Sequence, residues 1–168
     1  RGGDVAASWN LLKRGARRLE SGKPYQAIKL LGKSLAGFYK EESSNEMVFA
    51  MRMISSAYED IGLPWASRAS MLFAASLLTD KFWKKDELSI EQVKSYMRIS
   101  WIELQLGRLG QSLLWFELAL IVQSGFDDNV LSENEVINFD GCMGQLILNT
   151  PHNQLLNLEA LPNVLEDL

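Results

Sequence analysis

Residues 20–31 read ESGKPYQAIKLL, and residues 59–72 read EDIGLPWASRASML. Each carries Gly, one residue, Pro, an aromatic, one residue and a small residue: Gly22, Pro24, Tyr25 and Ala27, then Gly62, Pro64, Trp65 and Ser67. Glycine takes the left-handed conformation that closes a helix at little steric cost. Proline is tolerated in the first turn of a helix, where its missing N–H has no partner to lose. Each stretch therefore predicts one helix stopping at the glycine and another starting at the proline. A third copy, QLGRLGQSLLWFELAL from Gln105, has Gly107 at the stop and Leu109 in place of proline. Gly22, Gly62 and Gly107 stand 40 and then 45 residues apart. Seven residues before each stop lies a small residue, Gly15, Ser55 and Ser100, where two helices of a hairpin can approach closely.

Working outward, apolar residues recur at helical spacing almost throughout. Trp9, Leu12, Ala16 and Leu19 form one such set, and Ile28, Leu31, Leu35 and Phe38 the next. Met47, Ala50, Ile54, Ala57 and Ile61 follow, then Leu72, Ala75 and Leu78, then Ile99, Ile102 and Leu106, then Leu113, Phe116 and Leu120. No stretch alternates strictly, so no strand is predicted. Ser43 with Glu46, Ser89 with Gln92 and Ser132 with Glu135 have capping-box spacing. Thr150–Pro151 reads as another helix start. The expected helices span about 4–20, 24–41, 45–61, 64–79, 90–106, 109–123, 133–149 and 151–168, paired into hairpins, the last one degenerate. Residues 80–89 and 124–131 are expected to be loops. Phe82 and Trp83, in the first of these, either plug a seam between hairpins or form an exposed anchor.

The 168 residues fit a single domain able to bury a core without staples. The chain opens on Arg1 and stops at Leu168 inside a helical pattern, so a piece of a longer protein is expected. No eighteen-residue apolar run suggests a membrane span. The lone Cys142 cannot make an internal disulfide, which points to a reducing, cytoplasmic setting. Charge is segregated. Residues 1–40 hold nine Lys or Arg against Asp4 and Glu20, a balance of +7. Residues 126–168 hold eight acids and no Lys or Arg. A solvated helix face, a basic surface for an acidic partner, and head-to-tail stacking of the basic start on an acidic end all accommodate this polarity.

The punctuation resembles the tetratricopeptide repeat, a family of stacked helical hairpins. Gly15, Gly22, Tyr25 and Ala27 match its pattern in the first unit; Ser55, Tyr58, Gly62, Trp65 and Ser67 in the second; Ser100, Gly107 and Ser112 in the third. The resemblance covers roughly residues 4–124, with a period of 40–45 rather than the family's 34. It implies an all-α, right-handed superhelix of three to four hairpins. Stacked hairpins would share one core and curve around a concave groove lined by the first helix of each.

By that register, the groove is expected to present Trp9 and Lys13, then Phe49, Arg52, Met53 and Ser56, then Lys94, Met97, Arg98 and Trp101. Lys94 and Arg98 fall on positions that some family members use to hold a peptide's terminal carboxylate. The remaining positions of that clamp carry Leu12, Ala16 and Met53, so no such clamp is expected. Cationic heads beside Met and Trp surfaces suit an acidic segment with apolar anchors. The expected function is a non-enzymatic protein- or peptide-binding scaffold. The alternative is nucleic-acid or acidic-surface binding through the basic first 40 residues, where Lys13, Arg14, Arg17 and Arg18 cluster within two turns.

No catalytic constellation is evident. Asp140, Cys142 and His152 are the one conceivable nucleophile–base–acid set, and a predicted helix break separates Cys142 from His152. One Cys and one His build no zinc site, and no phosphate-cradling loop is present, so no cofactor or metal is expected. Gly141 and Gly144 are expected to permit a close helix approach.

Overall fold

The computed structural model describes residues 2–82, 89–126, 140–141 and 143–148. The fold is all-α, and no strand occurs among the described residues. Six helices run α1 (Gly2–Glu20), α2 (Pro24–Lys40), α3 (Ser44–Asp60), α4 (Pro64–Phe82), α5 (Ile90–Gln105) and α6 (Leu109–Gln123). Residues 140–141 and 143–148 are helical as well. The chain divides into two compact units, residues 1–84 and 85–168. In the first, α1 pairs with α2 and α3 with α4, and α2 packs on α3; in the second, α5 pairs with α6.

The three hairpin turns share one geometry. Gly22, Gly62 and Gly107 have φ of 67°, 75° and 71°. In each, the glycine N–H donates to the carbonyl three residues back, and the following N–H to the carbonyl five back. The latter bonds are Lys23 to Arg18 at 2.8 Å, Leu63 to Tyr58 at 2.9 Å and Arg108 to Glu103 at 2.9 Å. This is the Schellman closure, which satisfies helix-end carbonyls that would otherwise lack partners. The α2–α3 junction closes the same way with Glu42 in the left-handed position, φ 55°. Ser43 N–H reaches Phe38 O at 3.0 Å there.

Small residues face one another where paired helices cross. Ser55 Oγ lies 2.7 Å from Ser67 Oγ between α3 and α4. Ser100 and Ser112 occupy the same place between α5 and α6. Gly15 and Ala27 hold it in the first hairpin, and a side chain on Gly15 would meet Leu31 at 2.7 Å. Seven residues before the crossing on the first helix, and seven after it on the second, lies another set of small or β-branched residues: Ser8 and Ser34, Val48 and Ala74, Val93 and Ala119, all buried. Ser34 Oγ donates to Ser8 O at 2.8 Å.

These contact lines shift the core from the larger apolar residues toward smaller ones. The core line of α2 is Ala27, Leu31, Ser34 and Phe38, while Ile28 and Leu35 are half-buried. In α4, Ser67, Met71, Ala74 and Leu78 are buried and Leu72 is half-buried. Helix α3, packed by α2 and α4, buries Met47, Val48, Ala50, Met51, Ile54, Ser55 and Ala57.

Several local expectations change. Helix α4 continues to Phe82, with no Gly or Pro to stop it at 79, so Phe82 belongs to a helix rather than a loop; Trp83 lies outside the described residues. Ser43 takes the N-cap of α3 without a side-chain capping bond. At Ser89 the Gln92 Oε1 accepts the backbone N–H at 2.9 Å. Among the described residues, side chains added at Gly141 or Gly144 would meet nothing within 4 Å. The expected starts at Ser132 and Thr150, and the helix 151–168, lie outside the described residues.

Candidate binding surfaces

The exposed stripe of α3 is set by what its other sides bury. Phe49, Arg52, Met53 and Ser56 follow one another at spacings of three and four, which places them on one face. Phe49 is 42% exposed, and Arg52, Met53 and Ser56 are half-buried. Ser56 Oγ donates to Arg52 O at 3.3 Å, keeping the small hydroxyl on its own helix. The stripe thus offers an aromatic, a thioether and a guanidinium side by side.

On α1, Lys13 is exposed. Trp9, one turn earlier, is 36% exposed and leans edge-on against Phe38, ring centroids 5.6 Å apart. On α5, Lys94, Met97, Arg98 and Trp101 also share one face, all half-buried. Lys94 Nζ stands 3.9 Å from Glu91 Oε1, a surface pair of small energetic weight. Trp101 packs against the buried Phe116 and Leu146, together with Leu104, Leu113, Leu120 and Met143. Part of the indole is therefore committed to the unit's own core. The α1 and α3 sets belong to the first unit and the α5 set to the second.

The basic residues form a second surface. Lys13, Arg14, Arg17, Arg18, Lys23, Lys29, Lys33 and Lys40 are all exposed. On α1 the four cations lie opposite the line Ser8–Leu12–Gly15–Leu19 that faces the core.

Sequence reasoning missed three features. Glu103 is fully buried, and its Oε2 accepts from Arg108 Nε at 2.5 Å across the α5–α6 turn. Helix α6 is apolar on nearly all sides, a composition that usually marks a buried helix; yet Leu114 is 60% and Ile121 38% exposed. Trp65 and Phe73 are exposed on α4, with the Arg68 guanidinium 5.9 Å from the Trp65 ring centre. The all-round apolar sequence of α6 was the available signal for the second. The first became visible only once the turn closed.

Burial pushes the Tyr96 phenol above its ordinary value of 10.0, and a hydrogen bond with the Gln92 side chain pulls the other way. Tyr96 also lies 5.6 Å from Trp115, ring centre to ring centre. Asp140 is exposed; Cys142 and His152 lie outside the described residues. No cluster of three metal-ligating side chains occurs among the described residues, and none of their helices is long and apolar enough to cross a membrane. No protein-family model, curated protein or solved structure matches the chain significantly.

Proposed function

We propose that the chain is a non-enzymatic scaffold module, a tetratricopeptide-like superhelix of hairpins, that holds a protein or peptide segment against the first helices of its hairpins. The observation that carries this reading is the stripe Phe49, Arg52, Met53 and Ser56. It is the side of α3 left over after α2 and α4 have taken the rest. Burial of Phe49 by a ligand would supply hydrophobic energy, Met53 would adapt to an irregular surface, and Arg52 would pair with an acid. Within the same unit Lys13 of α1 would add a cation; in the second unit Lys94, Met97 and Arg98 of α5 would form a separate face of like composition. The ligand class that fits is an acidic segment with apolar anchors. The setting proposed for this module is cytoplasmic.

Panning a random-peptide display library on the immobilised chain tests this. Recovered peptides should combine acids with aromatic or aliphatic anchors. Phe49→Ala should weaken them by about 2 kcal/mol, roughly thirtyfold. Peptides that bind Phe49→Ala and Arg52→Glu as well as the unchanged chain would remove this stripe from the account.

The exposure of all eight cations in the first hairpin favours a second reading, a basic surface on α1 and α2 that binds nucleic acid or an acidic surface. Its mark would be a steep loss of affinity with salt, which an apolar stripe does not produce.

A further inference from the structure

Lys13, Arg14, Arg17 and Arg18 cover two turns of α1, and all four are exposed. Among the described residues, none of the four enters an ion pair. Helix α3 is packed from one side by α2 and from the other by α4, whereas α1 packs on α2 and touches α3 only at its margin. Among the described residues, the face of α1 that a neighbouring helix would cover is therefore open, and it is the cationic one.

From this we infer that the outward face of α1 docks the acidic stretch 126–168 of a second copy of the chain. Charge complementarity identifies the occupant. Residues 1–40 carry +7, while residues 126–168 carry eight acids, among them Glu133, Glu135 and Asp140, with no Lys or Arg. A polyanion such as single-stranded nucleic acid meets the same cations but is repelled by the acidic stretch and by the chain's net charge of −4. The contact joins two different surfaces, so it is heterologous: each added copy leaves one face of each kind open. Assembly therefore grows with concentration. Because it joins exposed charges, it weakens as the screening length falls from ~30 Å at 0.01 M salt to ~3 Å at 1 M.

Sedimentation of the 168-residue chain over a concentration series tests this. At low salt the weight-average mass should rise above the 18.9 kDa of one chain, and at high salt it should return there. The triple variant Arg14→Glu/Arg17→Glu/Arg18→Glu should stay at one-chain mass at low salt. So should the variant Glu133→Lys/Glu135→Lys/Asp140→Lys. An equimolar mixture of the two should associate again, because each then supplies the complement that the other lost. That rescue also guards against a variant that merely fails to fold, as does an unchanged thermal melt of each. One-chain mass for the unchanged protein at low salt overturns the inference, as does association that survives the triple variant. A fluorescent single-stranded oligonucleotide added as a probe should stay free. Salt-steep binding of it, lost in the triple variant, would assign the face to nucleic acid instead.

Discussion

Ser100 and Ser112 each donate a hydroxyl to the other's backbone carbonyl across the α5–α6 hairpin, at 2.8 and 2.7 Å. Both side chains are fully buried. A reciprocal pair of this kind needs the two backbones close together, and only small side chains allow that. Ser100→Leu should cost roughly 1–3 kcal/mol through overpacking. Ser100→Ala should cost about 1 kcal/mol, the net worth of one hydrogen bond. Urea denaturation of the two variants measures the difference; a leucine variant as stable as the parent would contradict the crossing.

The left-handed turns predict substitutions of opposite sign. Gly62→Ala should destabilise by about 1–2 kcal/mol, because a β-carbon crowds the backbone at φ 75°. Glu42→Gly should stabilise by up to about 1 kcal/mol, since it removes the same crowding at φ 55°, less the greater entropy of glycine in the unfolded chain. Thermal melts check both.

At the α5–α6 turn, Arg108→Ala removes the guanidinium that pairs with the fully buried Glu103 carboxylate. Losing one partner of a fully buried pair costs about 3–5 kcal/mol; here the cost should fall below that range, because the Arg108 side chain is 35% exposed. Glu103→Gln in the Arg108→Ala background should recover part of the loss by removing the buried charge. A double-mutant cycle reads the coupling, and strict additivity would contradict it.

Tyr96 predicts a decline in stability at high pH. Its folded pKa is raised above 10.0, so below that value both folded and unfolded chains hold the neutral phenol and no penalty arises. Above it the unfolded chain ionises first, and stability falls until the folded pKa is reached. The difference between Tyr96→Phe and the parent, followed by urea midpoint from about pH 9 to 11, should widen in favour of Tyr96→Phe as pH rises. A constant difference would contradict the buried phenol.

The hairpin turns were legible because a left-handed φ imposes a glycine, and three glycines stood in register. The crossings at Ser55 and Ser100 were legible for the same reason: repetition marks a small residue that hydropathy ignores. Elsewhere that indifference misled. Ala27, Ser34 and Ala74 contribute little hydropathy, so the apolar pattern favoured Ile28, Leu35 and Leu72, which flank the contact line. Glu42 gave no sign, since a non-glycine in a left-handed turn has no sequence signature. The candidate stripe on α3 was legible as a register, with Phe49, Arg52 and Met53 on one face. The use of Trp101 on α5 was not: it packs on Phe116 and Leu146, and only residues distant in sequence could reveal that.

The most direct test of the binding account is an equilibrium titration of one panned peptide against two variants: Arg52→Glu and Arg17→Glu. Charges beside a held ligand act through pairing, whereas distant exposed charges mainly tune the encounter rate. Arg52→Glu should weaken binding about tenfold or more, near 1.4 kcal/mol, and Arg17→Glu should leave it within about twofold. If Arg17→Glu is the more damaging, the basic face of α1 is the binding surface and the account is wrong.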